Sequence, residues 1–341
     1  MKKVLLGMSG GLDSTYAVMR LREMGYYVEG AVLKMHTYTE IEEAEKSAAY
    51  LGVPLRVIDA QDAFFNMVVS DFCEAYRNGR TPNPCVICNE RVKLQRLYEE
   101  AVRSSFDYIA TGHYARVAEK NGRYAVWMGE DKSKDQSYML YRLSQEVLSR
   151  LILPLGDLLK ADIRAFAQKE GLAAANRPES QEICFVREES YPEYIERTCG
   201  GLPQGDFVDE KGMVLGRHKG IHHYTVGQRK GLGISAASRL FVQSIHPKDN
   251  RIVLSNTPRR TDAFYISSLV FSGALEDAFV EEELFEVKIR YLAKKQKARL
   301  SREEDGRWLV RLERGAISVT PGQSAVFYRD ECVMLGGIIE G

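Results

Sequence analysis

The first part of the chain alternates apolar runs of strand length with apolar residues at helical spacing. Val4 to Met8 reads as a strand, and Ala17, Val18, Leu21 and Met24 then recur near a 3.6-residue period, which predicts a helix. Tyr27 to Leu33 is a second strand, and Ile41, Ala44, Ala48 and Leu51 mark a helix stopped by Gly52. Leu55 to Ile58 reads as a short buried strand, followed by helical spacing over Ala63 to Tyr76 and again from Leu94 to Ala101. A strand then ends at Ile109-Ala110, and a helix from Ile163 to Glu170 is closed by Gly171. Such alternation predicts an α/β fold, a parallel sheet covered on both faces, with ligands beyond the carboxyl ends of its strands. From about Gly205 the helical period disappears, leaving short alternating runs such as Leu240 to Val242, Arg251 to Leu254, Phe285 to Tyr291 and Ser324 to Tyr328. They predict a small, mainly β central domain and a C-terminal β-barrel, dividing the chain at 1–200, 201–258 and 259–341.

At 341 residues the chain can bury more than one core. No segment approaches a membrane span, and Met1-Lys2-Lys3 leads into a strand too short for a signal peptide, so a cytoplasmic protein is expected. In that reducing compartment the six cysteines read as catalytic, metal-binding or buried residues rather than a disulfide framework. Lys plus Arg and Asp plus Glu both total 47, so no global field draws in nucleic acid. Any RNA contact must use local clusters, and two stand out: Arg217 to Lys230, and Lys288, Arg290, Lys294, Lys295, Lys297, Arg299 and Arg302. By charge alone, each is more simply a solvated face.

The stretch Ser9-Gly10-Gly11-Leu12-Asp13-Ser14 lies between the first strand and the first helix. Two glycines let the backbone turn tightly, so that N–H groups and the positive helix end converge on one spot, a site for phosphate. No Gly-Lys-Ser/Thr follows, so this is not a Walker loop, nor is it a G-x-G-x-x-G motif. Further on, Asn83-Pro84-Cys85-Val86-Ile87-Cys88 follows Pro82, and the prolines are expected to keep this segment out of a helix, with the next helix starting just after Cys88. A thiol there, near Arg91 and Lys93, should have a lowered pKa. Cys184 sits in a comparable loop, Pro178 to Phe185, whereas Cys73, Cys199 and Cys332 read as packing residues. Lys134 to Tyr138 resembles a polar helix start, either a substrate grip or an Asp-capped surface helix.

Ser-Gly-Gly-x-Asp-Ser is similar to the signature of the PP-loop ATP pyrophosphatases, whose domain is adenine-nucleotide alpha-hydrolase-like. Together with Arg80 to Asn89, Tyr108 to Tyr114, Lys134 to Tyr138, Ile183 to Phe185, Tyr224 to Gly233 and Thr320 to Val326, it makes the chain resemble the bacterial tRNA-uridine 2-sulfurtransferase family over nearly its whole length. The resemblance implies ATP-dependent replacement of the 2-oxygen of a wobble uridine, in a tRNA anticodon loop, by sulfur. In it, Gly7, Met8, Ser9, Gly10, Gly11, Leu12, Asp13 and Ser14 would hold the nucleotide with Mg²⁺, and Leu33 and Gly112 would touch the adenosine. Cys184 would carry a persulfide supplied by an upstream sulfur-relay or desulfurase protein, and Cys88 would be the partner nucleophile, leaving a Cys88–Cys184 disulfide for a reductant to reopen. Asn83, Pro84 and Cys85 would meet the target base, and His113, Lys134, Asp135, Gln136, Arg290, Tyr291 and Gln323 the tRNA.

One position departs from the family: Cys85 stands where an Asp is usual. Either its thiol replaces the carboxylate, or Cys85, Cys88 and Cys184 ligate a [4Fe–4S] cluster that delivers sulfide. Two other readings compete. A PP-loop ligase or amidotransferase acting on a small acid would share the loop but need neither Cys88 nor Cys184, and a non-catalytic RNA-binding protein would have no use for an intact Asp13.

Overall fold

The computed structural model describes residues 1–120, 122–171, 183–235, 238–275, 279–317 and 319–341. Along the first part run β1 (Lys3–Gly7), α1 (Leu12–Glu23), β2 (Tyr27–Lys34), α2 (Ile41–Leu51), β3 (Leu55–Asp59), α3 (Gln61–Phe64), α4 (Ser70–Arg77), α5 (Pro84–Cys88), α6 (Leu94–Arg103) and β4 (Tyr108–Thr111). A hairpin, β5 (Ala115–Lys120) and β6 (Arg123–Met128), precedes α7 (Gln145–Arg150), β7 (Leu151–Ile152), α8 (Lys160–Lys169) and α9 (Tyr191–Cys199).

Five strands form a parallel sheet in the order β3-β2-β1-β4-β7. Its central strand shows why both faces are covered. Val4 and Leu6 join Ala17, Val18 and Leu21 of α1 and Ile163 and Ala167 of α8, whereas Leu5 joins Leu94, Leu97 and Ala101 of α6 on the opposite face. Alternate side chains of one strand thus serve two cores, each buried leucine contributing about 1.5–3 kcal/mol. The α/β expectation is met, with local corrections. Met24 is exposed because α1 stops one residue earlier, and β3 is a half-exposed edge strand rather than a buried one. The proline-containing segment is helical after all. Pro84 occupies the first turn of α5, where its missing N–H costs nothing, and Asn83 caps that turn by accepting the Cys85 N–H at 3.2 Å.

The central sheet holds β8 (Gly205–Val208), β9 (Val214–His218), β10 (Phe241–His246) and β11 (Arg251–Ser255) in the order β10-β11-β8-β9, packed around Phe207, Val242 and Ile252. The barrel follows with β12 (Arg260–Phe271), β13 (Leu284–Lys288), β14 (Gln296–Arg302), β15 (Trp308–Ile317), β16 (Ser324–Arg329) and β17 (Cys332–Ile339). Pairing runs β12-β15-β14-β13-β16-β17, and β17 returns to β12, closing six strands. The hairpin β5–β6 attaches to this barrel through Trp127 and Cys332, although it belongs in sequence to the α/β part. Tyr138, Tyr141, Val326 and Tyr328 share one core with Leu5, and the Tyr138 hydroxyl donates to the Ser324 carbonyl at 2.9 Å. The barrel is therefore fused to the parallel sheet.

Cys73 and Cys199 are not separate packing residues. They form a disulfide joining α4 to the end of α9 across 126 residues, while Cys332 is buried as expected.

Candidate active site

The carboxyl ends of β1, β2 and β4 lie side by side and set the site. After β1 the chain turns through Gly10, whose φ is +73°. A Cβ there would lie 2.5 Å from the Glu43 carbonyl carbon, so only glycine fits. Gly11 precedes α1 with no side-chain cap, which leaves the first N–H groups of that helix facing outward. The serines brace the turn: Ser14 Oγ accepts the Ser9 N–H at 3.2 Å and donates to the Gly11 carbonyl at 3.0 Å. Such a loop is a ready anion cradle.

Asp13 is held from two sides. The Lys160 ammonium, almost fully buried at the start of α8, and the Tyr114 hydroxyl each donate to its Oδ1 at 2.6 Å. Gly112, just after β4, comes so close that a Cβ on it would sit 3.2 Å from Asp13. His113 is buried, its Nδ1 2.7 Å from Thr111 Oγ1, and burial lowers its pKa to about 3, so it is neutral.

Beside the cradle lie the thiols. Cys88 is buried among Phe64, Phe72 and Phe185, with the half-buried Cys184 packed against the same cluster, and its sulfur is 3.8 Å from Met35 Sδ just past β2. Cys85 is exposed one helical turn earlier. Desolvation pushes all three thiols up, Cys88 to about 12, and the charge of Lys93 offsets only part of this. The expected lowering at Cys88 is thus corrected: Lys93 does face the thiol, but burial outweighs it. Lys93 ends a π-helical turn, Asn89–Lys93, inserted between α5 and α6, and its backbone N–H points at the Cys88 sulfur. A wide turn of this kind commonly marks a functional site.

The barrel and the central sheet fix this segment in place. Gln323 Nε2 donates to the carbonyls of Thr81 at 2.8 Å and Pro82 at 3.2 Å, and the Thr81 N–H donates to the Pro321 carbonyl at 2.8 Å. The Thr81 hydroxyl lies 3.0 Å from that of Thr225.

A family model described as the tRNA methyl transferase HUP domain matches residues 2–188, the tRNA methyl transferase PRC-barrel domain matches 193–256, and the aminomethyltransferase beta-barrel domain matches 261–339. A tRNA-specific 2-thiouridylase of Clostridium tetani is 41% identical over 351 residues, 99% of this chain and 97% of that protein. Those of Clostridium acetobutylicum and Caldicellulosiruptor saccharolyticus are each 39% identical, covering 99% of this chain and 99% and 98% of theirs. This chain belongs to the tRNA-specific 2-thiouridylase family.

Within this 2-thiouridylase-family chain the residues singled out from the sequence fall into two groups. Gly7 to Ser14, Leu33 at the end of β2, Gly112, His113, Asn83, Pro84 and the three thiols gather at the carboxyl edge of the sheet. Of the Pro178 to Phe185 loop, residues 178–182 lie outside the described residues. Asp135 is buried and occupied, accepting the N–H groups of Gly129 and Ser137 and facing Lys288 of the barrel at 3.5 Å. The Gln136 side chain accepts the Tyr114 N–H at 2.9 Å, and Lys134 to Tyr138 holds only a short 3₁₀ turn at Ser137–Met139. Lys288 and Lys295 of the second basic stretch pair internally, whereas Arg290, Lys294, Lys297, Arg299 and Arg302 are exposed. Tyr291 is half-buried against the shared core, its ring centroid 6.1 Å from that of Tyr138. Lys160 and Tyr114 were the residues missed as site members; only their meeting on Asp13 distinguishes them from ordinary helix and strand-end residues.

Proposed function

We propose that this protein transfers sulfur to C2 of the wobble uridine of tRNA, using ATP, with residues 1–200 performing the chemistry and 201–258 and 259–341 helping to hold the RNA. The observation that carries the reading is the packing of Cys88 and Cys184 into one cluster that reaches Met35, just past β2, on the same carboxyl edge of the sheet as the Ser9–Ser14 cradle that follows the neighbouring β1. The uridine 2-oxygen is a poor leaving group. Its attack on the α-phosphate of ATP would release pyrophosphate into the cradle and leave an O-adenylated uridine. Backbone N–H groups of the cradle and the Lys160 ammonium stabilise the charge that develops there. Asp13 is the carboxylate at the cradle suited to Mg²⁺, which would neutralise phosphate charge.

Sulfur would arrive as a persulfide on Cys184, delivered by a separate donor protein. Its terminal sulfur attacks C2 and AMP leaves with the C2–O bond pair. Cys88 then attacks the Cys184 sulfur, the S–S bond to the transferred sulfur breaks toward uridine, and a Cys88–Cys184 disulfide remains for an external dithiol to reduce. Arg290, exposed just past β13 next to the half-buried Tyr291, and His113, buried and neutral at the end of β4, would be the contacts offered to the RNA.

The presence of a third free thiol, Cys85 one turn before Cys88 on α5, motivates a second reading of the same reaction. The charge of Lys93 acts on all three thiols, which come from two segments and match in number the three cysteine ligands a [4Fe–4S] cluster with one open iron needs, and metal binding would deprotonate them outright. Cys85, Cys88 and Cys184 would hold it, and its open iron would supply bound sulfide. Tests on purified protein separate these readings. Pyrophosphate exchange that requires tRNA supports the family reaction, while exchange driven by a small acid supports a PP-loop ligase. Persulfide transfer requires Cys184→Ser to keep adenylation and lose thiolation. Absence of iron after anaerobic purification, with a fully active Cys85→Ser variant, removes the cluster.

A further inference from the structure

Away from that site, Glu196 of α9 meets the 3₁₀ turn Ile221–His223 of the central domain. Its Oε1 lies 3.2 Å from His222 Nε2 and 2.9 Å from His223 Nε2, and the three ligand atoms all fall within 4.8 Å of one another. Adjacent side chains on a short turn ordinarily diverge, yet these two imidazoles share one direction, with ring centroids 4.4 Å apart. Gly220 makes this possible. Its φ is +131°, and a Cβ on it would lie 2.5 Å from the His222 ring.

We infer that Glu196, His222 and His223 form a binding site for a zinc-class divalent transition metal that clamps α9 to the central domain. Bonds of about 2.0–2.1 Å in a tetrahedral site put ligand atoms roughly 3.3 Å apart, close to the 3.2 and 2.9 Å from Glu196 Oε1 to the two imidazoles. Two imidazoles and one carboxylate suit Zn²⁺ or Co²⁺, and are a poor set for Mg²⁺ or Ca²⁺, which prefer all-oxygen shells. Among the described residues no other set of three His, Cys, Asp or Glu side chains brings its ligand atoms so close. His222 is fully buried while Glu196 is 42% exposed, so the ion would have protein on one side and room for a water on the other. Binding replaces the two contacts to Glu196 by metal bonds: each Nε2 gives up its proton, each imidazole ligates as the neutral Nδ1–H tautomer, and no redox change is involved.

The position gives the site its role. α9 lies shortly after the Cys184 segment, and its last residue, Cys199, is tied to α4 by the disulfide. The Arg77 guanidinium of α4 donates to the Cys199 carbonyl at 2.5 Å and the Gly200 carbonyl at 3.1 Å. A metal at Glu196 would add a third fastening, between this segment and the strands that follow.

The test is a Co²⁺ titration of the full chain with the Cys73–Cys199 disulfide intact, in parallel on the wild type and on a Cys85→Ser/Cys88→Ser/Cys184→Ser variant that removes the competing thiol donors. The expected result is one equivalent of Co²⁺ in the triple variant, with the intense visible d–d bands of tetrahedral rather than octahedral Co²⁺, no sulfur-to-cobalt charge-transfer band, and displacement by Zn²⁺. His223→Ala and Glu196→Gln, introduced separately, should each weaken binding at least 30-fold. Zn²⁺ should raise the thermal midpoint of the parent but not of these variants, whose metal-free midpoints serve as the folding control. No binding by the triple variant, or unchanged binding in folded His223→Ala and Glu196→Gln, overturns the inference.

Discussion

The Gln323 carboxamide, on the barrel, donates to the Thr81 carbonyl at 2.8 Å, only a few residues before the thiol-bearing helix α5. The same amide reaches Pro82, and Gly322 beside it has a φ of +92° that brings its backbone against Thr81. The barrel thus sets where Cys85 and Cys88 stand relative to the sheet. Resemblance alone put Gln323 among the RNA contacts, but its donor is already engaged by the protein.

Gln323→Ala should therefore act through the active-site segment. Two lost hydrogen bonds predict about 1–3 kcal/mol of stability. Misplacing the segment should cost roughly tenfold in the single-turnover thiolation rate, with tRNA affinity changed less than about twofold. A variant that loses tRNA affinity at an unchanged turnover rate would return Gln323 to a direct RNA contact.

Lys160→Met should separate the nucleotide step from sulfur chemistry. Without the buried ammonium, tRNA-dependent pyrophosphate exchange is expected to fall about 100-fold, near 2.7 kcal/mol of transition-state stabilisation. Alkylation of Cys184 should proceed at the wild-type rate. Exchange within threefold of wild type would show that Lys160 serves only to hold Asp13.

Most of the sheet was legible because its residues obey local rules. Val4 to Met8 alternates between two cores, and Gly52 ends α2 in the left-handed conformation that glycine favours. The tight turn of the Ser9–Ser14 loop was legible because Gly10 has a conformation no other residue fits. Pro84 was misread because proline breaks a helix interior but not its first turn, and a sequence does not say which turn is first. The Cys88 pKa was misjudged because charge neighbours such as Lys93 are visible in sequence, while the aromatic cluster that desolvates the sulfur is assembled from residues 64, 72 and 185. The Cys73–Cys199 pair and the Lys160–Asp13 contact join residues 126 and 147 positions apart, where no spacing rule applies.

The thiols carry a pH signature. Cys88 is raised from an ordinary 9.0 to about 12, so below pH 9 the sulfur is protonated in both folded and unfolded chains. As pH climbs from 9 toward 12 the unfolded chain ionises first, and this thiol's contribution to stability is lost at up to about 1.4 kcal/mol per pH unit. In the metal-free protein, alkylation of Cys88 should keep accelerating beyond pH 9, and Lys93→Met should slow it further at every pH. A rate that levels off near pH 8 contradicts the burial argument.

Opening the Cys73–Cys199 bridge should destabilise without stopping catalysis. Its loop of 126 residues predicts about 2–5 kcal/mol from the unfolded chain's entropy. Cys73→Ser should lower the thermal midpoint by several degrees and keep at least half of the thiolation activity, since Cys88 and Cys184 are free thiols and the bridge only fastens the cluster they share with Cys73. An inactive but folded Cys73→Ser would tie this bridge to the reaction itself.

The central claim is that pyrophosphate is released at one end of the site and sulfur is passed between Cys184 and Cys88 at the other. It is tested most directly by a single turnover of purified Cys184→Ser with ATP, tRNA and a persulfide donor, reading pyrophosphate and 2-thiouridine together. The account predicts pyrophosphate release that depends on tRNA and matches the wild type, with no 2-thiouridine formed. Thiouridine at the wild-type level, or pyrophosphate release indifferent to tRNA, would contradict it.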